Sequence, residues 1–240
     1  MSSASGLVRA PGATPRKGDV TRHTILQAAT SLATRVGLEG VTIGGLAEEL
    51  GLSKSGLFAH FRSKEALQEQ VLQFAAQRFI AFVAGSAITA PRGEPRVRAL
   101  FERWLEWARS GATAGRGGCL FVAASTELDD QPGPVRERLV RLQKDWLAFM
   151  AGAYRLAVAQ GHFGPGDAEQ FAHDVYGTML AYHHADRLLG DPAAERRART
   201  AFEALVQAAR AGAAGGRSRG APRKKQAGGT RRAGSRAPRG

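Results

Sequence analysis

Ser53, Lys54 and Ser55, with Gly56, Phe58, Ala59 and His60 close behind, set two hydroxyls, an ammonium and an imidazole on one short, otherwise small-sided stretch. Those groups suit nucleic acid: a lysine reaches guanine O6 and N7, and serine pairs with several base edges. A second set spreads over residues 100–180, where Trp104, Trp107, Phe121, Trp146, Phe149 and Tyr176 supply ring area for a pocket between helices. The alternative for each is plain core, except that Trp107 lies off its helix's apolar stripe and is expected to face something else. Glu127, with Asp129 and Asp130, either ends a helix near solvent or orients a cationic ligand. His183 and His184 invite a metal, but adjacent helical residues diverge by about 100° and cannot share one ion. Cys119 is the one cysteine, so neither a disulfide framework nor a cysteine-based zinc site is expected. No Gly-rich phosphate loop, Ser-x-x-Lys, His-Glu-x-x-His or Gly-x-Ser-x-Gly occurs, which argues against an enzyme. No catalytic residue, metal or cofactor is expected.

The elements that must position these residues all read as helices. Ile25, Ala28, Ala29, Leu32 and Val36 recur at three- and four-residue steps and stop at Gly37. Ile43, Leu46, Ala47 and Leu50 follow Thr42 as N-cap and end at Gly51, and Ser53 caps a segment through Leu57 to Phe61. Leu50, Leu52 and Leu57 are expected to pack the two short helices together. Ser63 opens a longer helix carrying Leu67, Val71, Phe74, Ala75 and Phe82. Further stripes run over 97–108, 119–128, 135–156, 171–182 and 192–206, with Asp167 and Gln170 expected as a capping box. The fold class is all-α: a three-helix helix-turn-helix head followed by a helical bundle, about nine helices in all.

Several motifs in register carry a resemblance. Thr21-Arg22, Val41-Thr42, Leu46-Ala47, Gly51-Leu-Ser-Lys, Gly56-Leu-Phe, His60-Phe61 and Ser63-Lys64-Glu65-Ala66-Leu67 together resemble the DNA-binding domain of the tetracycline-repressor (TetR) family. The resemblance implies a homodimeric, sequence-specific transcriptional regulator, usually a repressor released from double-stranded operator DNA by a small molecule. It implies phosphate contacts at Lys64 and at the backbone of Thr42 and Gly44, with Arg22 on the same side. Base edges fall to Ser53, Lys54 and Ser55, close approach to Gly56, and to His60 either a structural or phosphate contact or a share in reading bases. Phe58 stands where the family most often has a tyrosine whose hydroxyl meets a phosphate. The last two helices, within 167–210, are the implied dimer interface, with small residues Ala172, Ala181, Ala201 and Ala208.

Composition bounds the rest. The 240-residue chain is 43% apolar, enough for a core, yet no run approaches the ~20 apolar residues of a membrane span. The N-terminus lacks a signal-peptide core, so a cytoplasmic protein with no membrane partner is expected. The +13 net charge is uneven: residues 213–240 hold nine basic residues and no acid, leaving 25 basic against 21 acidic residues, net +4, before them. The expected organisation is a disordered basic arm (1–18), the helix-turn-helix domain (19–65), a ligand-binding and dimerisation domain (66–211) and a disordered basic tail (212–240). Arg9, Arg16 and Lys17 of the arm are expected to add minor-groove contacts. A competing reading makes the chain an architectural, weakly specific DNA binder dominated by its tail.

Overall fold

The computed structural model describes residues 17–110 and 118–218. Nine helices follow one another, and no strand occurs among the described residues. They are α1 (Lys17–Val36), α2 (Ile43–Leu50), α3 (Lys54–Phe61), α4 (Lys64–Phe79), α5 (Glu94–Ser110), α6 (Leu120–Leu128), α7 (Pro134–Ala159), α8 (Ala168–Arg187) and α9 (Ala194–Ser218). Where the apolar pattern predicts a regular helix on to Phe82, α4 instead widens into a π turn (Ile80–Ala84) and closes with one α turn (Gly85–Ala87). Most of the predicted basic arm, and the tail beyond Ser218, lie outside the described residues. The predicted start of the tail at 212 is superseded by helix as far as Ser218.

Hydroxyl caps start α2, α3 and α4. Thr42, Ser53 and Ser63 accept from the N–H groups of Gly45, Gly56 and Ala66 at 3.0, 3.1 and 3.1 Å. These bonds satisfy N–H groups that a helix start leaves orphaned. At Gly51 the backbone turns left-handed (φ 64°) and its N–H returns to the carbonyls of Ala47 and Glu48, which sharpens the α2–α3 turn. Only half of the box expected before α8 forms. Asp167 accepts from Gln170 N–H at 2.9 Å, but the Gln170 amide donates forward to Asp174.

Two cores result. The first, here the head, packs Ile25, Ala29 and Leu32 of α1 on Leu46, Leu57 and Phe61, with α4 contributing as far as Ala75. The second, the body, gathers α5, α7, α8 and α9 around Trp104, Met150, Met179 and Phe202. Phe101 and Phe202 stack with ring centroids 4.0 Å apart and tie α5 to α9. Leu120, Ala124 and Leu128 of α6 belong to the head core, while Cys119 and Val122 belong to the body core. One nine-residue helix therefore serves both.

Candidate DNA-reading face and effector cavity

On α3 the inward residues are Leu57 and Phe61, each 1% exposed. That orientation turns Ser53, Lys54, Ser55, Gly56, Phe58, Ala59 and His60 outward together. Leu52, expected between the short helices, is exposed, because the turn at Gly51 leaves Leu46, Ala47 and Leu57 to fill that space. The Ser53 oxygen accepts from Gly56 N–H, and Ser55 donates to it at 3.4 Å. Ser53 thus keeps its O–H proton, but not its whole oxygen, for a partner outside the helix. Lys54 leans over Gly44: a Cβ built there would lie 3.8 Å from the lysine Nζ. Phe58, 57% exposed, offers a bare ring to solvent.

The flanks of this face are tied down. Arg22 donates to Gln70 on α4, and its guanidinium lies 5.9 Å from the Phe61 ring centroid. Lys64 opens α4 and donates from Nζ to Glu39 at 3.0 Å. Gln68 completes this corner by donating to Leu38 O at 2.8 Å and to the Glu39 carboxylate at 3.3 Å. Lys64 therefore has an internal carboxylate partner in the absence of DNA.

The body encloses a cavity of about 280 Å³. Trp104, Phe121, Trp146, Phe149 and Tyr176 all line it. Phe79 anchors the wall, meeting Phe121 and Trp146 edge-on at 5.7 and 4.9 Å. The ends of α4 and the π turn add Ala76, Ile80 and Ala84. Its polar groups form a chain: Tyr176 Oη donates to Gln143 Oε1, and Gln143 Nε2 donates to Phe121 O, both at 3.1 Å. Burial pushes the Tyr176 hydroxyl up to about 12, so the phenol stays neutral. Burial likewise pushes the Cys119 thiol up, against the Val122 and Phe121 N–H groups and the Trp107 indole, so it remains a protonated wall group.

Two expected cavity residues lie elsewhere. Trp107 is 2% exposed and packs into the body core against Phe79 and Phe82, at 5.4 and 5.9 Å. Phe79 ends the regular part of α4 and Phe82 belongs to the π turn. Glu127, predicted either near solvent or on a ligand, instead accepts from Glu39 N–H at 2.9 Å. Its carboxylate fills the space beside Gly37, where φ is +80° and an added Cβ would sit 2.9 Å from Oε1. Of the histidine pair, His183 is half-buried near Gly118 and Arg187, whereas His184 is exposed.

Known proteins share both halves of this arrangement. Residues 25–71 match the family of bacterial regulatory proteins of the tetR type, and residues 93–202 match the tetracyclin repressor-like C-terminal domain. The chain belongs to the TetR family of transcriptional regulators. Over 51 residues it is 39% identical to the class A tetracycline repressor protein of transposon 1721 from Escherichia coli. That match spans 21% of this chain and about a quarter (24%) of the repressor. A TetR transcriptional regulator from Chloroflexus aurantiacus superposes with a TM-score of 0.67 at 26% identity, covering 80% of this chain and 96% of its own. A TetR-family regulator from Streptomyces coelicolor gives 0.66 at 22%, covering 79% and 95%. AibR, solved with isovaleryl coenzyme A and operator DNA, gives 0.62 at 22%, covering 77% and 98%.

As a TetR-family protein the chain is a DNA-binding transcriptional regulator. No described helix is long and apolar enough to cross a membrane. Sequence reasoning missed Glu39, Gln143, Asp145 and the cavity's α4 wall. Gln143 left a usable signal, since it follows Leu142 directly on the stripe that continues to Trp146. Glu39 left none, because only the folded loop brings it to Lys64.

Proposed function

We propose that this TetR-family regulator is a homodimeric cytoplasmic repressor that leaves its operator when a small molecule fills the body cavity. The observation that carries this reading is the double membership of α6. Its Val122 and Phe121 line the cavity, while Leu120, Ala124 and Leu128 sit in the head core and Glu127 holds the Glu39 N–H. A ligand that displaces the Phe121–Gln143–Tyr176 wall moves α6, and α6 cannot move without disturbing the Gly37–Glu39 loop. That loop carries the carboxylate paired with Lys64 at the start of α4. Cavity occupancy and head geometry are then two readouts of one packed element, and the ligand selects the geometry with the wrong reach.

In the DNA-bound state Lys54 and Ser55 read base edges, and the Ser53 proton adds a donor. Gly56 allows close approach, and Phe58 and His60 lie against the sugar-phosphate backbone. Lys64, Arg22 and the N–H groups at Thr42 and Gly44 hold phosphates, a role favoured by the positive end of a helix. Two such heads must reach successive major grooves ~34–36 Å apart, which requires a dimer. Exposed small residues support α8 and α9 as that interface: Gly177, Ala181, Ala201, Ala204 and Ala208 face outward, next to exposed Leu180. Ala172, expected on this face, is 2% exposed and belongs to the monomer's own core, so it is left out of the proposed contact. AibR, a protein of the same fold bound to both an acyl-coenzyme A and operator DNA, supports pairing a reading head with an effector site.

Chromatin immunoprecipitation with the full chain tests this. Recovery of a few discrete, inverted-repeat sites is the expected outcome. Even coverage of the chromosome would contradict it and return the tail-dominated architectural reading.

A further inference from the structure

The cavity has one ionisable group besides Cys119 and Tyr176 among its described lining residues, and that group is the carboxylate of Asp145. Asp145 is exposed, as are the lining residues Ile80 (58%) and Phe149 (39%), so these three mark where the cavity opens. Most carboxylates of the body are committed to arginines. Glu94 binds Arg98 and Arg210, Glu102 binds Arg199, Glu195 binds Arg109 and Arg199, and Glu203 binds Arg98. Asp145 has no hydrogen bond or ion pair with any described residue. The same wall carries aromatic rings: Trp146 and Phe149 stack with centroids 6.1 Å apart, and Phe79 meets Trp146 edge-to-face at 4.9 Å. Deeper in, the Tyr176 oxygen keeps acceptor capacity after its proton has gone to Gln143.

We infer that the effector is an aromatic organic cation whose ammonium group sits at the mouth against Asp145, with its ring system among the Phe79, Trp146 and Phe149 rings of the apolar interior. This rests on the cavity being the effector site. Each part of the wall contributes to the choice. The Phe79, Trp146 and Phe149 rings offer an aromatic ligand offset-stacked and edge-to-face contacts. A carboxylate with no internal partner adds attraction without first breaking an ion pair. A carboxylate or phosphate ligand would meet the same charge with the opposite sign and would lose its hydration to apolar walls. The cation-orienting role that the sequence offered to Glu127 thus passes to Asp145, since Glu127 is spent on the Glu39 N–H.

Three pyrene probes of matched shape test the inference on the full chain: 1-pyrenylmethylammonium, 1-pyrenylmethanol and pyrene-1-carboxylate. Binding is read as energy transfer to pyrene from tryptophan, all three of which line the cavity or pack beside it. The ammonium is expected to bind about threefold to fivefold tighter than the alcohol, and the carboxylate weaker than both. Asp145→Asn should bring the ammonium down to the alcohol's affinity, and a thermal unfolding midpoint equal to wild type would show that the variant is folded. If ammonium and alcohol bind alike in wild type, or the ammonium keeps its advantage in Asp145→Asn, the cation inference falls while the effector cavity stands. If none of the three probes binds, the cavity reading falls with it.

Discussion

The head and the body are built from the same material, amphipathic helices around an apolar core, yet they hold function in opposite ways. The head projects its chemistry outward from one contiguous segment. With Leu57 and Phe61 anchored inside, α3 has no choice but to present Ser53 to Gly56 and Phe58 to His60 to the outside. The body holds its chemistry as an enclosed space between α4, α5, α6, α7 and α8, whose contributing residues run from Ala76 to Tyr176. An outward face needs only one helix to be oriented correctly. An inward cavity needs five helices to stop short of filling their common centre. The first is a local property of the chain and the second a global one, and α6 is where the two must agree.

The largest effect should come from removing the anchor of the cavity wall. Phe79→Ala is expected to cost about 3–5 kcal/mol, since it deletes a buried ring touching Trp107, Phe121 and Trp146. Denaturant unfolding followed by both tryptophan emission and helical circular dichroism should show one lowered transition, because α4 and α6 serve both cores. Two separated transitions would break the picture of coupled regions.

Lys54→Ala comes next. Losing a base-edge contact worth about 1–3 kcal/mol should weaken specific operator binding roughly 10- to 100-fold and leave ligand binding unchanged. A matching loss of ligand affinity would mean that the two regions are not chemically separate.

Glu127→Gln sharpens the comparison from the seam. It removes the charge that receives the Glu39 N–H, and should shrink the effect of a bound effector on operator affinity by about 1 kcal/mol, roughly fivefold. Intrinsic affinities for DNA and for ligand should each hold when measured alone. Phe58→Tyr is expected to gain about 1 kcal/mol or less of operator affinity by restoring a phenolic donor on an exposed ring. No gain would remove Phe58 from the proposed backbone contact.

The smallest effect is electrostatic and confined to the body. Hydrogen bonds from Arg98 and Gln207 hold the Glu203 carboxyl down to about 2. Burial acts to raise Glu94, but the hydrogen bonds from Arg210 and Arg98 outweigh it, and the carboxyl lies below its ordinary value of 4.5. Depressed carboxylates stabilise the folded state above their unfolded pKa and lose that contribution as pH falls through the folded one. The α5–α9 tie should therefore be fully present above about pH 5 and fade toward pH 2, and thermal midpoints of wild type and Glu203→Gln should converge across that window. Parallel curves would show that the network contributes nothing measurable.

How far the sequence could be read follows from the same contrast. Hydroxyl caps at Thr42, Ser53 and Ser63 and the left-handed Gly51 are local rules, so the starts of α2, α3 and α4 were legible from residues alone. The aromatic wealth of the body was equally plain, and Trp104, Phe121, Trp146, Phe149 and Tyr176 do line one space. What periodicity could not supply was the π turn at Ile80–Ala84, whose Phe82 packs on Trp107 in the core. Nor could it pair Glu127 with a backbone amide 88 positions away, because nothing local distinguishes that carboxylate from Asp129. Ala172 shows the limit of reading small residues as interface, since smallness serves a crowded monomer core as well as a dimer seam.

Fluorescence anisotropy tests the central claim most directly, that the exposed face of α3 reads DNA sequence. The duplex would be a site recovered by immunoprecipitation, titrated at physiological salt with excess nonspecific competitor. The proteins would be the full chain, its Lys54→Ala variant and a chain ending at Ala211. The account predicts competitor-resistant binding of two protomers per site, retained without the basic tail and lost with Lys54. Binding that is equal on a scrambled duplex, survives Lys54→Ala undiminished, or disappears with the tail would contradict it.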